Sequence, residues 1–272
     1  MTRFLVVPQW QGSPAARAMH LVDGAEAIAG DLPRAATVRI DVPASAGEAL
    51  DTGIRRFSTL ARVADEITAA MTGPDADGPV VVVGGDCGVA VPAIAATAAR
   101  QGDLAVVWFD AHGDLNTPDS SPSGAFSGMA LRAVFEPLPV PGSGAVPASR
   151  VVLVGARELD DAERDVIGER GLRLLAVDEL ADADAIADAA AATGATAVHV
   201  HVDLDVLDPA VIAGVALPVP FGLSLDALVG AIKALRARMP IASASISGFA
   251  PASPAAAVDD LGTILRVVGA LA

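Results

Sequence analysis

Residues 104–118 read LAVVWFDAHGDLNTP, and that order of residues decides the fold. The apolar run Leu104 to Phe109 has strand character, and at its carboxyl end come Asp110, His112 and Asp114, three side chains of metal-ligand type. Similar short β-branched runs recur at 3–7, 37–41, 79–83, 150–154, 172–176, 197–205 and 242–247. Ala-rich amphipathic segments lie between most of them, near 16–30, 54–71, 89–100, 161–169, 179–193, 224–238 and 257–271. Strand alternating with helix predicts an α/β fold, a mainly parallel sheet with helices on both faces. The apolar stretch from Pro79 to Val83 suits a strand buried on both sides. Pro and Gly clusters at 72–78 and 136–148 mark loops, the second long enough to be mobile. With no internal repeat, low-complexity tail or linker, residues 1–272 are expected to form one domain.

Composition narrows the function. The chain is 53% hydrophobic with mean hydropathy +0.51, enough to fill a substantial core. A net charge of −15 argues against a nucleic-acid partner, whose phosphates demand Lys and Arg, and against an anionic membrane surface. No apolar run reaches the length of a membrane span. The opening MTRFLVVPQWQG lacks the long apolar stretch and cleavage site of a secretion signal, and the single cysteine, Cys87, fits a reducing compartment. The expectation is a cytoplasmic protein acting on a small molecule.

In open α/β sheets ligands bind at the carboxyl ends of the strands. Gly84-Gly85-Asp86-Cys87-Gly88 falls at one such end. It lacks the Lys-Ser/Thr of a phosphate loop and does not match the dinucleotide fingerprint; a tight strand-to-helix turn explains it equally well. Asp110, His112 and Asp114 alternate, so an extended backbone puts all three on one face. Burying them is costly unless a divalent cation neutralises them, and carboxylate plus imidazole suits Mn²⁺, Fe²⁺, Zn²⁺ or Ni²⁺. In His199-Val200-His201-Val202-Asp203-Leu204-Asp205, both acids and both histidines share a side. Two such strand tips could hold two metals, with one carboxylate from each bridging them. Either cluster alone could be a capped strand end; the pair together favours metal.

Asp110-Ala111-His112-Gly113-Asp114-Leu115-Asn116-Thr117-Pro118 and Asp203-Leu204-Asp205-Val206-Leu207-Asp208-Pro209 resemble the two metal signatures of the ureohydrolase family, which includes arginase, agmatinase and formimidoylglutamase. The similarity in order and spacing runs from about residue 80 to the end. The resemblance implies a three-layer α/β/α sandwich around a parallel eight-stranded sheet, and two Mn²⁺ per chain. It implies that Asp110 and Asp203 bridge the ions, with His112 and Asp205 completing one site, Asp114 and Cys87 the other. It also assigns Asn116 and Ser123 to a substrate α-carboxylate, and Asp160 and Glu163 to its α-ammonium. The plain alternative for those two acids is a charged helix N-terminus.

The sequence departs from the family at four places. Cys87 stands where the family has a histidine ligand, so it is either a small buried residue or a thiolate ligand; a thiolate opens the site to other divalent metals. Ser127 stands in place of the family's proton-shuttling histidine. In Pro251-Ala252-Ser253-Pro254, Pro251 replaces the glutamate that holds the guanidinium. His201, where the family has a small residue, is either a proton carrier or a hydrogen-bonded core residue. Arginine, strongly basic, benefits from both missing groups, whereas an N-hydroxyguanidine is less basic and more electrophilic. The pattern is therefore similar to the hydroxyarginine-hydrolysing branch associated with D-cycloserine biosynthesis, which implies conversion of Nω-hydroxy-L-arginine to hydroxyurea and L-ornithine. The alternatives are arginase, agmatinase or formimidoylglutamase activity, a non-catalytic metal or amino-acid binder, and a nucleotide binder built on residues 84–88. The last helical segment runs almost to Ala272 and leaves no linking tail, so a monomer is expected.

Overall fold

The computed structural model describes residues 2–73, 78–182 and 184–272. Eight strands form one sheet: β1 (Arg3–Val7), β2 (Thr37–Arg39), β3 (Val80–Gly84), β4 (Leu104–Phe109), β5 (Val151–Val154), β6 (Arg173–Leu175), β7 (Ala197–Asp203) and β8 (Ile241–Ser247). Their order is β2-β1-β3-β8-β7-β4-β5-β6, and every pairing is parallel. The helices are α1 (His20–Gly30), α2 (Phe57–Thr72), α3 (Ala90–Gln101), α4 (Ala130–Phe135), α5 (Asp161–Arg170), α6 (Ala185–Ala192), α7 (Leu225–Arg238) and α8 (Pro254–Leu271). Among the described residues no helix is long and apolar enough to cross a membrane.

Alternation along the strands sends side chains to two faces, and each face builds its own core. Val107, Phe109, Val200 and Val202 pack with Ile28, Ile186, Leu228 and Ile264 from α1, α6, α7 and α8. On the other face Val106, Trp108 and Leu153 meet Leu60, Ile94, Leu131 and Val166 from α2, α3, α4 and α5. That is the expected three-layer α/β/α sandwich.

All eight expected runs become strands. α4 was not anticipated: Ala130 to Val134 are all buried, so its sequence shows no polar face to betray a helix. The 136–148 segment, expected to be a mobile loop, is tied down. Ser143 hydrogen-bonds both the amide and the carbonyl of Leu138, Gly144 N donates to Ala133 O, and Val140 and Val146 are buried. Residues 74–77 of the expected 72–78 loop lie outside the described residues, as does residue 183 of the 179–193 segment, whose helix is α6.

One irregularity bears on the site. β8 runs in register with β7 except between Val198 and His199, where Val198 pairs with Ile241 and His199 with Ser243, leaving Ala242 extra. Beyond this bulge Ser243, Ser245 and Ser247 lie opposite His199, His201 and Asp203.

Candidate metal centre

β3, β4 and β7 deliver their carboxyl ends to the same rim of the sheet, as the parallel topology requires. After β3 the chain turns through a short 3-10 turn, Cys87–Val89, capped by the Asp86 carboxylate, which accepts from Gly88 N. Asp86 also accepts from Gln9 Nε2 and Gly12 N at 2.9 Å each, pinning the loop after β1 against the Cys87 turn. After β4, residues 110–114 leave the strand. Asp114 has φ +54, so the alternating extended segment expected there is not what brings its ligands together. The loop curls, and its side chains converge. After β7, Asp203 closes the strand and Asp205 sits in a 3-10 turn, Leu204–Val206. Gly248, with φ +87, makes room for this arrangement, since a Cβ there would overlap the Asp203 carboxylate.

Six side chains meet. His112 Nδ1 lies 3.1 Å from Asp205 Oδ2 and 3.4 Å from Asp110 Oδ1. The other oxygen of Asp110, Oδ2, accepts from Trp108 Nε1 at 3.1 Å and is 4.0 Å from Cys87 Sγ. The Cys87 thiol donates to Asp203 Oδ2 at 2.9 Å. Backbone amides complete the frame: His112 N donates to Asp110, Ala111 N to Asp205 and Asp205 N to Asp203. Asp114 is buried beside them, and its Oδ2 has no hydrogen-bond partner among the described residues.

The electrostatics show what the cluster lacks. Burial, then the charge of Asp205, pushes the Asp203 carboxyl up to about 7; burial, then Asp110, pushes Asp205 up to about 6. Burial and the neighbouring Asp110 raise Asp114 well above the carboxylate range, and burial raises Asp110. Burial alone would lower His112, yet hydrogen bonds to Asp110 and Asp205 outweigh it and push the imidazole up to about 12. Burial and three surrounding aspartates hold the Cys87 thiol well above its usual value. Four buried carboxylates beside one imidazole are short of positive charge. The unpartnered Asp114 oxygen and this mixed oxygen, nitrogen and sulfur donor set fit divalent cations.

The cluster forms the floor of a cleft of about 260 Å³. Asn116, Ser123, Ser127, Asp160 and Glu163 all line it, and among the described residues no Lys or Arg does. Asp160 and Glu163 are also the capping box of α5, each carboxylate accepting the other's amide. Glu163 Oε1 reaches Leu115 N and Asp160 Oδ2 accepts from Asn116 Nδ2 at 2.8 Å, so these acids brace the 110–116 loop as well as facing the cleft. Pro251 is buried, its carbonyl 2.7 Å from His20 Nδ1, and it is not among the lining residues. His201 and His199 are wholly buried behind the cleft.

Two residues escaped the sequence reading. Glu158 lines the cleft, bridged through its backbone to His112. Arg157 places its guanidinium among five carbonyls, those of Gly155, Asp205, Val206, Val219 and Pro220, at 2.7–3.3 Å. Its partners are backbone oxygens, which no side-chain pattern announces.

A family model described as the arginase family matches residues 21–259. An arginase of Bacillus caldovelox is 31% identical over 200 residues, covering 68% of this chain and 67% of that protein. Its crystal structure superposes with a TM-score of 0.81 at 27% identity, covering 98% of each chain. The arginase of Bacillus subtilis is 38% identical over 155 residues, 53% of this chain and 52% of that protein. For the fold alone, an Entamoeba histolytica arginase crystallised with L-ornithine gives a TM-score of 0.85 at 21% identity, covering 99% of this chain and 97% of that one.

Proposed function

The chain belongs to the arginase family of metal-dependent hydrolases that cleave C–N bonds of linear amidines, and on that premise we propose that it hydrolyses the guanidino group of an arginine-like amino acid. The observation that carries the reading is Asp110, whose two carboxylate oxygens face different ligand groups, His112 with Asp205 on one side and Cys87 with Asp203 on the other. In this reading the six side chains would hold two cations, His112 and Asp205 serving one, Cys87 and Asp114 the other, and Asp110 and Asp203 both. Manganese is the family's usual metal, and the thiol at Cys87 admits a softer one. Bound there, such ions supply Lewis acidity and make water nucleophilic at neutral pH.

The chain's own residues set the substrate. Asp160, Glu163, Asn116 and Ser123 all line the cleft; in this reading the two acids attract an α-ammonium group, and the Asn116 amide and Ser123 hydroxyl take an α-carboxylate. Ser127 lines the cleft but cannot titrate near neutral pH, so the departing amine receives no proton from it. Pro251 offers the guanidinium no carboxylate. Both features favour a guanidine that is already weakly basic. The preferred substrate is Nω-hydroxy-L-arginine: water adds to the guanidino carbon, the bond to the ornithine nitrogen breaks, and hydroxyurea and L-ornithine leave. Arginine itself is the second reading, supported by the bacterial arginases among the relatives. Steady-state assays on both compounds separate them. We expect hydroxyarginine to be favoured in kcat/KM by about tenfold or more; equal or better turnover of arginine sinks the substrate assignment and leaves the reaction class standing.

The same reading has the chain working as a cytoplasmic monomer, with no nucleic-acid or membrane partner. Light scattering at assay concentration tests the monomer.

A further inference from the structure

Five wholly buried side chains form an unbroken line of hydrogen bonds from beneath α3 to the ligand cluster. Thr97 Oγ1 donates to Ala93 O and lies 2.8 Å from Ser243 Oγ. Ser243 Oγ is 2.6 Å from His199 Nδ1, and His199 Nε2 is 2.9 Å from Ser245 Oγ. Ser245 Oγ is in turn 2.7 Å from His201 Nδ1. The line ends at His201 Nε2, which is buried and has no hydrogen-bond partner among the described residues.

Proton counting gives the line a direction. A hydroxyl has one proton, and an uncharged imidazole has one N–H and one lone pair. Thr97 spends its proton on Ala93 O, so Ser243 must donate to Thr97. Ser243 then accepts from His199 Nδ1–H, which leaves His199 Nε2 as a lone pair taking the Ser245 proton. Ser245 accepts from His201 Nδ1–H, so His201 Nε2 is a bare lone pair. Both rings are wholly buried and hydrogen-bond only to hydroxyls, so no carboxylate pairs with a charged imidazole there.

Nothing nearby has a proton to offer that lone pair. The Cys87 thiol donates to Asp203 Oδ2, as does the Ser247 hydroxyl, and the Trp108 N–H goes to Asp110 Oδ2. The His201 ring is held against Trp108, ring centroids 3.7 Å apart, and ligand atoms of Cys87, Asp110 and His201 lie within 4.8 Å of one another. An imidazole whose Nδ1–H is fixed by a hydroxyl and whose Nε2 is bare is prepared to bind a metal.

We propose that His201 Nε2 is a direct ligand of the cation held by Cys87 and Asp110, giving that half of the centre thiolate, imidazole and carboxylate donors. The proposal rests on the reading that the cluster binds two cations. It makes His201 a buried ligand that tunes the metal, not a proton carrier to the cleft. The donor set is softer than that of the His112 half, so the two halves differ in metal preference.

NMR on the full chain tests this, with NMR-active cadmium as the probe and histidine labelled with NMR-active nitrogen. The expected result is two cadmium ions per chain, the thiolate-bound one showing coupling to His201 Nε2. In His201→Asn that coupling disappears and the affinity of one ion falls by at least about tenfold, while the other is unchanged. Two bound ions without coupling to His201, or a folded His201→Asn chain that binds both with unaltered affinity, overturns the ligand assignment alone. Should the variant not fold, the coupling in the unaltered chain decides. Failure to bind any cadmium overturns the two-cation reading along with it.

Discussion

At the scale of single residues, burial acts on His112 and His199 in the same direction, and their partners send them apart. Carboxylates surround His112 and push it up to about 12, whereas His199 touches only hydroxyls and burial takes it down to about 3. His199 therefore stays uncharged in the fold while the unfolded chain takes up a proton below the ordinary histidine value. Its contribution to stability is complete above pH 6.5 and drains away as the pH falls towards 3, at roughly 1 kcal/mol per pH unit. Thermal unfolding followed from pH 6.5 to about 5 has to be compared between the parent and a His199 variant, because Asp203 and Asp205 titrate in the same window. His199→Gln is expected to flatten the slope there; an unchanged slope means that another group is responsible. That His199 and His201 share a face with Asp203 was legible from their alternation. Which ring nitrogen carries the proton was not, because that depends on serines and a threonine far away in the chain.

At the scale of elements, α5 carries two tasks on one turn. Asp160 caps the helix and also lines the cleft, and substitutions separate the roles. Asparagine caps as well as aspartate but is uncharged. Asp160→Asn is expected to unfold within about 0.5 kcal/mol of the parent while raising KM for the amino-acid substrate about tenfold; Asp160→Ala should lose about 1 kcal/mol in addition. Chemical denaturation and initial-rate kinetics on the pair check this, and an unchanged KM in the asparagine variant assigns Asp160 to the cap alone. Arg157 is the corresponding brace between loops, tying the Asp205 turn to residues 219–220. Arg157→Lys keeps the charge but not the five-donor fork. Calorimetric titration with manganese is expected to show weaker binding at one site, with the secondary structure unaltered by circular dichroism. The strands were readable from apolar runs, and Asp160 and Glu163 as acids of a helix N-terminus, though not as a reciprocal cap. α4 was not, for want of a polar side, and neither was the curl at Asp114, since an alternating DAHGD segment looks extended until the positive φ is known.

At the scale of the whole molecule, parallel strand order places every candidate ligand on one rim, in a chain whose net charge is −15. Cations that bind the folded state alone stabilise it by mass action, by about 3 kcal/mol at 100 times the dissociation constant. Chelation is therefore expected to lower the thermal midpoint by several degrees and manganese to restore it; a midpoint indifferent to chelator tells against a metal centre. The sheet and its functional rim could be foreseen because strand periodicity and ligand residues are local properties. The alignment of β8 on β7 could not, because the bulge at Ala242 is a matter of pairing between strands 40 residues apart in sequence. That one supernumerary residue works like a reading-frame shift. Without the bulge that absorbs it, Ala242 would stand opposite His199, and Ser243, Ser245 and Ser247 would turn to the opposite side of the sheet, among Phe109 and Val202, leaving the histidines to face aliphatic side chains. Excising Ala242 leaves Ser243 opposite His199, and should accordingly do less harm than replacing Ser243 or Ser245, which hydrogen-bond the buried histidines.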